Sequence, residues 1–154
     1  MTRVYRILRK PYSTNPFDGE GPYLFGARWS SPGIRVAYAA EHLSLAMLEY
    51  YVHLDANHPP TDLVVVEADI PDNVSRISMS PKQLPANWRQ SPAPAAVAEI
   101  GDEFILRGRA AVLTVPSVLA PAECNWLINP RHSAFARIRV HPAEAFQYDL
   151  RFFQ

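Results

Sequence analysis

The sequence lacks a net charge, a pair of cysteines and any long hydrophobic run. Fifteen basic and fifteen acidic residues cancel in a chain of 154 residues, whereas nucleic-acid-binding proteins generally carry an excess of basic residues. The single cysteine, Cys124, cannot form an internal disulfide, which favours a reducing compartment. No stretch approaches the roughly 20 apolar residues of a membrane helix, and the polar N-terminus is unlike a signal peptide. We therefore expect a soluble, cytoplasmic protein that contacts neither membranes nor, directly, DNA.

Several short motifs that carry chemistry are also absent. The five histidines show no H-E-x-x-H or Cys/His spacing, so no metal site is predicted. No glycine-rich phosphate loop of either common type is present. Ser117 follows a predicted strand but has no G-x-S-x-G context, which excludes a hydrolase nucleophile elbow. These absences argue against metallohydrolases, P-loop enzymes and α/β hydrolases.

The residues that are present indicate one domain of class α+β over residues 1–154. Apolar residues make up 48% of the chain and charged residues 19%, which is enough for a core. Fifteen prolines predict short elements joined by defined loops. Strands and helices do not alternate regularly, which disfavours a doubly wound sheet. The predicted strands are 2–8, a start at 28–29, 36–38, 62–70, 110–115, 134–140 and 146–153; the helices are 41–54, 96–107 and a turn at 120–127; residues 11–27 and 71–95 are predicted loops.

Glu49 is the residue that the local pattern singles out. It lies in the middle of the predicted helix 41–54, among large apolar side chains such as Leu45 and Leu48. A carboxylate in such surroundings is costly unless it is paired, and it can stabilise an oxocarbenium-like transition state when a glycosidic bond breaks. The alternative is a solvated Glu49 that pairs with His53 one helical turn later. The residues alone leave both interpretations open.

Arg28 and Tyr38 are further candidates for binding a ligand. Arg28 follows a glycine-rich approach and can make forked contacts to a pyrophosphate. Tyr38 has small neighbours, so that a ring face is open for stacking on a planar or cationic ligand. Both residues also fit structural roles, a surface arginine beside buried Trp29 and a core tyrosine. Ser117, at a strand end, is placed for a ligand contact, and Asn129 before Pro130 is typical of a turn.

Short sequence blocks follow one another in a fixed order along the chain. They are Val4-Tyr5-Arg6-Ile7, Gly26-Ala27-Arg28-Trp29-Ser30, Val36-Ala37-Tyr38-Ala39, Leu45-Ala46-Met47-Leu48-Glu49, His53-Leu54, the 64–70 strand with Pro71-Asp72, Ile100-Gly101-Asp102, Leu113-Thr114-Val115-Pro116-Ser117, Asn125-Trp126-Leu127-Ile128-Asn129-Pro130-Arg131-His132 and Tyr148-Asp149-Leu150-Arg151. In this order the blocks resemble the RES-domain family, the toxin component of RES–Xre toxin–antitoxin pairs. The family is named for Arg, Glu and Ser positions, and its frequent Gly-Gly-Arg-Trp-Asn motif differs here at Ala27 and Ser30.

The resemblance implies an ADP-ribosyltransferase-like fold and cleavage of NAD⁺ at the nicotinamide–ribose bond. By position, Arg28 would hold the phosphates or the nicotinamide-side ribose, Tyr38 would stack on nicotinamide, and Glu49 would stabilise the positive charge on the ribose. The remaining substrate-binding positions that the resemblance implies are Arg6, which adds a second cationic contact, Ser117, which completes the pocket, and, as weaker candidates, Tyr5 and Asn129.

The resemblance implies no cofactor and no metal, because NAD⁺ is the substrate and nicotinamide is a good leaving group. The ADP-ribose acceptor stays open between water, inorganic phosphate as a co-substrate and a protein side chain. A cognate Xre-type helix-turn-helix antitoxin is expected to cover the site and bind operator DNA, and a homodimer within that complex is left open. The competing functions are a protein ADP-ribosyltransferase and a non-catalytic interaction module of a repressor complex; an RNase is disfavoured by the neutral charge.

Overall fold

A computed structural model describes all residues 1–154, which form eight strands and three α-helices. The strands are β1 (Thr2–Arg9), β2 (Ala37–Ala40), β3 (Leu63–Ile70), β4 (Arg76–Ser78), β5 (Val112–Pro116), β6 (Cys124–Ile128), β7 (Arg139–Val140) and β8 (Glu144–Ala145). The helices are α1 (Glu20–Phe25), α2 (Leu43–Tyr51) and α3 (Ala95–Arg107).

All strands belong to one sheet, in the order β4-β5-β6-β2-β1-β3-β7, with β8 also paired to β3. The β4–β5 pair is parallel and every other pair is antiparallel. A mixed, mostly antiparallel sheet with a few packed helices confirms the predicted α+β class.

The sheet nearly divides between β1 and β2. Eight residue pairs join β1 to β3 and four join β2 to β6, but β1 and β2 share the single pair Tyr5–Ala40. Beyond that pair, Arg6 Nη1 donates to the carbonyl oxygen of Tyr38 at 2.7 Å. The Arg6 side chain thus donates to a β2 carbonyl group at a point where β1 and β2 are no longer paired through their backbones.

The two faces of the sheet are packed differently. One face carries a continuous cluster of 16 buried residues that includes Val4, Val66 and Ile128. The other face carries two separate clusters: ten residues lie around Trp29 and α3, and six lie under α2. Side chains alternate between the two faces along a strand. Ala40 and Leu127 belong to the two separate clusters and therefore mark this other face.

Helix α2 is shorter and more exposed than the predicted helix over 41–54. It buries Leu45 and Ala46, whereas Leu48 and Val52 are 42% and 53% exposed. Glu41 lies outside the helix, and its carboxylate accepts the backbone N–H of Cys124 at 2.8 Å. The helix is therefore packed on one side only, and part of its apolar surface meets solvent at Leu48 and Val52.

The glycine-rich segment 11–27, predicted as a loop, contains α1. Gly19 precedes the helix with φ +73° and Gly26 ends it with φ +70°, a conformation that glycine adopts without strain. The Asp18 carboxylate accepts the backbone N–H of Glu20 at 3.0 Å. Pro22 falls within the first turn, where the missing N–H does no harm.

Three further predictions are corrected. Arg28 and Trp29 do not start a strand, since Ala27 and Ser30 form an isolated bridge around them. Residues 120–127 are not a helical turn, because β6 forms between β2 and β5. The edge strand β4 lies within the predicted loop 71–95.

The closing segments 134–140 and 146–153 contain 3₁₀ helices at Ser133–Arg137 and Leu150–Phe153, and only Arg139–Val140 forms a strand within the predicted ranges. Aromatic packing explains the second of these corrections. Tyr148 and Phe152 pack on Tyr51 of α2, with ring centroids 5.9 and 5.4 Å away, and the Tyr51 hydroxyl donates to the Phe152 carbonyl at 2.7 Å. The end of the chain therefore covers α2 instead of extending the sheet.

Candidate active site

Glu49 is bound through a single carboxylate oxygen. Its Oε1 accepts hydrogen bonds from Ser117 Oγ and from Asn125 Nδ2, each at 2.7 Å. The expected alternative, a pair with His53, does not form. The helix therefore turns Glu49 toward the sheet, where both of its partners are neutral.

Ser117 lies behind Glu49 and has no exposed surface. Its Oγ accepts the backbone N–H groups of Leu119 at 3.1 Å and Ala120 at 3.2 Å. A hydroxyl has one proton and two acceptor sites, so these bonds direct the proton of Ser117 to Glu49. Ser117 thus completes the site by holding Glu49.

Asn125 lies in a row of residues that crosses three strands. Ala40 on β2 is paired with Asn125 on β6 and with Tyr5 on β1. Residues that are directly paired point to the same face of a sheet, so Tyr5 lies on the face that Glu49 covers. Ala40, between Tyr5 and Asn125, is buried in the cluster under α2.

Tyr38 precedes Ala40 by two residues and therefore lies on the same face. It packs against the cluster around Trp29, and its hydroxyl is 2.8 Å from Ser30 Oγ. Burial raises the pKa of the Tyr38 phenol, and the Ser30 hydrogen bond only partly offsets this effect. The phenol is therefore neutral at physiological pH, and Ser30, where the family often has Asn, orients it.

Arg28 is at the tip of the turn between Ala27 and Ser30, and it is half-buried. Its Nη1 donates to the carbonyl oxygens of Trp88 at 3.2 Å and Gln90 at 2.8 Å. The other guanidinium nitrogens make no hydrogen bond within the chain, which leaves donors for a ligand.

Helix α3 fixes the turn that carries Arg28. A Cβ atom on Gly101 would lie 1.7 Å from the carbonyl oxygen of Trp29, so only glycine permits this approach. The Asp102 carboxylate accepts the Ser31 backbone N–H at 2.8 Å and the Ser31 hydroxyl at 2.5 Å. These contacts give the Ile100-Gly101-Asp102 segment a structural purpose.

A segment over residues 86–90 connects the Arg28 turn with the Ser117 loop. It borders an open surface depression of about 490 Å³ that is lined by this segment alone. Besides the two carbonyl groups that accept from Arg28, it supplies Arg89, whose Nη2 donates to the Val118 carbonyl at 2.9 Å. The residues that hold Arg28 and those that hold Glu49 are therefore joined along one side of the site.

Arg6 and Asn129 are not brought to Glu49. Arg6 is paired with Val66, on the face opposite Tyr5, and its buried Nε has no hydrogen-bond partner. Burial lowers the pKa of the Arg6 guanidinium, while the charge of Asp18 raises it. Asn129 is buried, and its side chain accepts the Arg131 backbone N–H at 3.0 Å, as expected of a turn.

Comparison with known proteins decides the family. The model of the RES domain matches residues 3–151. The chain belongs to the RES domain family. A "Toxin Res" of Yersinia enterocolitica is 36% identical over 132 residues, which are 86% of each chain. The "Prs ADP-ribosylating toxin" of a Sphingobium species is 34% identical over 154 residues, covering 97% of this chain and 96% of that protein.

The fold of this RES domain also has a solved counterpart. A chain of the M. tuberculosis MbcT–MbcA toxin–antitoxin complex superposes with a TM-score of 0.77 at 14% identity. The match covers 95% of this chain and 84% of that chain. At this identity the likeness concerns the fold, and it agrees with the RES architecture that the sequence blocks indicate.

One other cluster of this RES domain brings potential metal ligands together. Side-chain atoms of Glu41, His42 and Glu123 lie within 4.8 Å of one another. Their atoms are already engaged, since His42 Nδ1 is 2.6 Å from Glu123 Oε1 and Glu41 binds the Cys124 backbone. These contacts tie the start of α2 to β6. None of the helices has both the length and the apolar character that crossing a membrane requires.

Two residues of the site were missed by the sequence reasoning. The sequence places Asn125 in a predicted helical turn, and it marks Ser30 only as a departure from the family motif. A polar residue between the hydrophobic positions of a strand is an ordinary outward-facing pattern. Nothing in the sequence pairs Asn125 with a residue 76 positions earlier.

Proposed function

We propose that this RES domain is a toxin enzyme that cleaves the bond between nicotinamide and ribose in NAD⁺ and so depletes the cellular pool. The observation that carries the proposal is the carboxylate of Glu49, which has two neutral donors on one oxygen and no ion pair. A carboxylate whose charge is not neutralised by the protein can stabilise a cation that develops on a substrate. The names of the relatives support the same function, since all are toxins and one is an ADP-ribosylating toxin.

The reaction balances without a cofactor or a metal. The C–N bond breaks with its electron pair passing to the pyridinium nitrogen, so that nicotinamide leaves as a neutral molecule and positive charge moves to the ribose. Glu49 would stabilise this oxocarbenium-like state. An acceptor then donates an electron pair to the anomeric carbon. Water gives ADP-ribose and releases its proton to the solvent, and inorganic phosphate gives ADP-ribose phosphorylated at the anomeric carbon.

Arg28 and Tyr38 would bind the two ends of the reacting half of NAD⁺. Arg28 keeps free guanidinium donors, which suit the oxygens of a pyrophosphate. Tyr38 presents a neutral ring on the Glu49 face, and such a ring can stack on the cationic nicotinamide. Tyr5, in the row with Ala40, would line the same pocket. In this proposal Arg6 and Asn129 do not contact the substrate. Arg6 supports β2, and Asn129 supports the turn after β6.

The deciding experiment is an assay of the purified chain with NAD⁺, in the presence and absence of inorganic phosphate, with the products identified by mass. We expect release of nicotinamide, and the mass of the second product identifies the acceptor. Glu49→Gln should reduce the rate by about 10²–10³-fold with little change in stability. The matched control is Glu99→Gln, the same change at an exposed position of α3. Full activity of Glu49→Gln, or no release of nicotinamide by the wild type, would refute the proposal.

A second candidate, a protein ADP-ribosyltransferase, is favoured by the name of the Sphingobium relative. It uses the same first step and differs only in the acceptor. Labelled NAD⁺ incubated with the chain and Prs, the target named for that relative, would then leave label on the protein. Free ADP-ribose or its phosphate as the sole labelled product would exclude this candidate.

The proposal includes a cytoplasmic location and a helix-turn-helix antitoxin of the Xre type, which would cover the site and carry any contact with DNA. The support for an antitoxin is the fold shared with a chain of a toxin–antitoxin complex. Expression of the chain alone should arrest growth and lower NAD⁺, and co-expression of a helix-turn-helix protein encoded beside it should restore both. Growth arrest without loss of NAD⁺ would favour a non-catalytic role.

A further inference from the structure

We infer that Asn125 is a positioning residue that, together with Ser117, fixes Oε1 of Glu49 and leaves Oε2 as the oxygen that faces the substrate. Asn125 is the second residue of β6 and is half-buried, and the family name refers to Arg, Glu and Ser positions only. The part of the inference that concerns substrate rests on the proposed cleavage of NAD⁺. The part that concerns the geometry of Glu49 does not.

The two hydrogen bonds to Glu49 are unequally shared between its oxygens. Asn125 Nδ2 and Ser117 Oγ both lie 2.7 Å from Oε1, and no donor of the chain binds Oε2. Two short hydrogen bonds occupy both lone pairs of a carboxylate oxygen. Oε1 is therefore saturated, and only Oε2 can accept from a ribose hydroxyl or stabilise a cation at the anomeric carbon.

The chemical type of the donors also fits this purpose. An amide and a hydroxyl orient the carboxylate without neutralising its charge, whereas an arginine or lysine would form an ion pair and reduce the charge that the transition state needs. The side-chain amide is the donor that Asn125 has available for Glu49, because its backbone is paired with both neighbouring strands, at Ala40 and Val115.

The place of Asn125 in the fold is unfavourable in the absence of such a role. Asparagine is depleted in strands, and β6 is a central strand with β2 on one side and β5 on the other. Local rules of sequence are commonly broken at functional sites. Here the exception connects the rigid sheet to α2, a nine-residue helix whose Glu49 side chain would otherwise keep several rotamers.

The first test separates positioning from binding. Asn125→Asp keeps the shape of the side chain but replaces the donor with an acceptor. We expect kcat for NAD⁺ cleavage to fall about 100-fold, while KM changes by less than about threefold, because a ground-state contact is not lost. Asn125→Ala, which introduces no like charge, should lose less. Asn57→Asp, the same change in an exposed turn, is the matched control and should retain wild-type kcat.

The second test uses thermal stability and does not depend on any activity. Asn125→Asp should lower Tm by roughly 3–6 °C, because two carboxylates then face each other. The double variant Glu49→Gln with Asn125→Asp should recover part of that loss, since the neutral amide at position 49 removes the repulsion between two carboxylates. Glu49→Gln combined with the Asn57→Asp control should show no such recovery.

The outcomes of the two tests are distinguishable. A normal kcat for Asn125→Asp, or strictly additive Tm changes in the double variant, would overturn the inference. If Tm is recovered but the wild type does not cleave NAD⁺, the hydrogen bonding of Glu49 by Ser117 and Asn125 is confirmed and the proposed function is wrong. If the wild type cleaves NAD⁺ and Asn125→Asp raises KM instead of lowering kcat, Asn125 binds substrate and is not a positioning residue.

Discussion

Two carboxylates of this protein are held in opposite ways. Asp69, near the end of β3, accepts from Arg3 Nε at 2.8 Å and lies 2.7 Å from His141 Nε2. Glu49, on α2, has only Ser117 and Asn125 as partners, and both are neutral. Asp69 thus has basic partners on both of its oxygens, whereas Glu49 has two donors on one oxygen.

The difference indicates which carboxylate can act on a substrate. The hydrogen bonds from Arg3 and His141 hold the pKa of Asp69 well below its usual range, so the negative charge is stabilised within the protein. The charge of Glu49 has no such partner and stays available for a cation. One carboxylate joins β1, β3 and the segment after β7, and the other serves the chemistry that we propose.

The largest effect that sharpens this comparison comes from shortening Glu49. Glu49→Asp keeps the charge but withdraws it by one methylene, so that Ser117 and Asn125 no longer reach the carboxylate in the same geometry. We expect kcat for NAD⁺ cleavage to fall about 100-fold. Asp69→Asn should keep kcat within about twofold of wild type, because Asp69 lies outside the site. Equal losses in the two variants would show that the two carboxylates do not differ in role.

A smaller effect is expected when one of the neutral partners of Glu49 is removed. Ser117→Ala deletes one donor to Glu49 and also leaves the backbone N–H groups of Leu119 and Ala120 without their acceptor. A donor left unpaired in the interior costs about 1–3 kcal/mol, but Leu119 is 41% exposed, so that water replaces the lost acceptor at one of the two. The free energy of unfolding should therefore fall by about 1–3 kcal/mol in all, with kcat reduced about tenfold. Denaturant unfolding and NAD⁺ cleavage measure the two effects.

The control for this variant is Ser44→Ala, the same change on the exposed side of α2. It should alter neither stability nor kcat. A Ser117→Ala protein with reduced stability but unchanged kcat would mean that Asn125 alone is enough to orient Glu49.

The sequence could predict the strands and helices that have strong local patterns. The first strand, the valine-rich strand and α3 are close to their expected ranges, because alternation and helical periodicity depend on neighbouring residues. The closing segments were predicted wrongly because tertiary contacts decide them. The local pattern around Tyr148 and Phe152 predicts a strand. Both side chains instead pack on Tyr51, about a hundred positions earlier in the sequence.

The site was predictable in part for the same reason. Glu49 is recognisable because a carboxylate among leucines is unusual within its own segment. The partners of Glu49 depend on the pairing of β2 with β6, which sets Ala40 beside Asn125, and no local pattern carries that register. Likewise, Gly101 reads as a weak point of a helix, whereas its purpose is the approach to Trp29.

The smallest effect concerns Asp69 and depends on pH. Because the folded-state pKa of Asp69 is depressed, its contribution to stability is present above the unfolded-state value of about 3.9 and is lost as the pH falls through the folded-state value. The Tm of Asp69→Asn should therefore be lower than that of wild type near pH 7, and the difference should begin to narrow as the pH falls below about 4. Glu144→Gln, which changes net charge equally at an exposed position, should show no such convergence. A Tm difference that stays constant down to about pH 2 would mean that the packing of the Asp69 side chain, and not its charge, stabilises the fold. The contrast between Asp69 and Glu49 would then have no electrostatic basis.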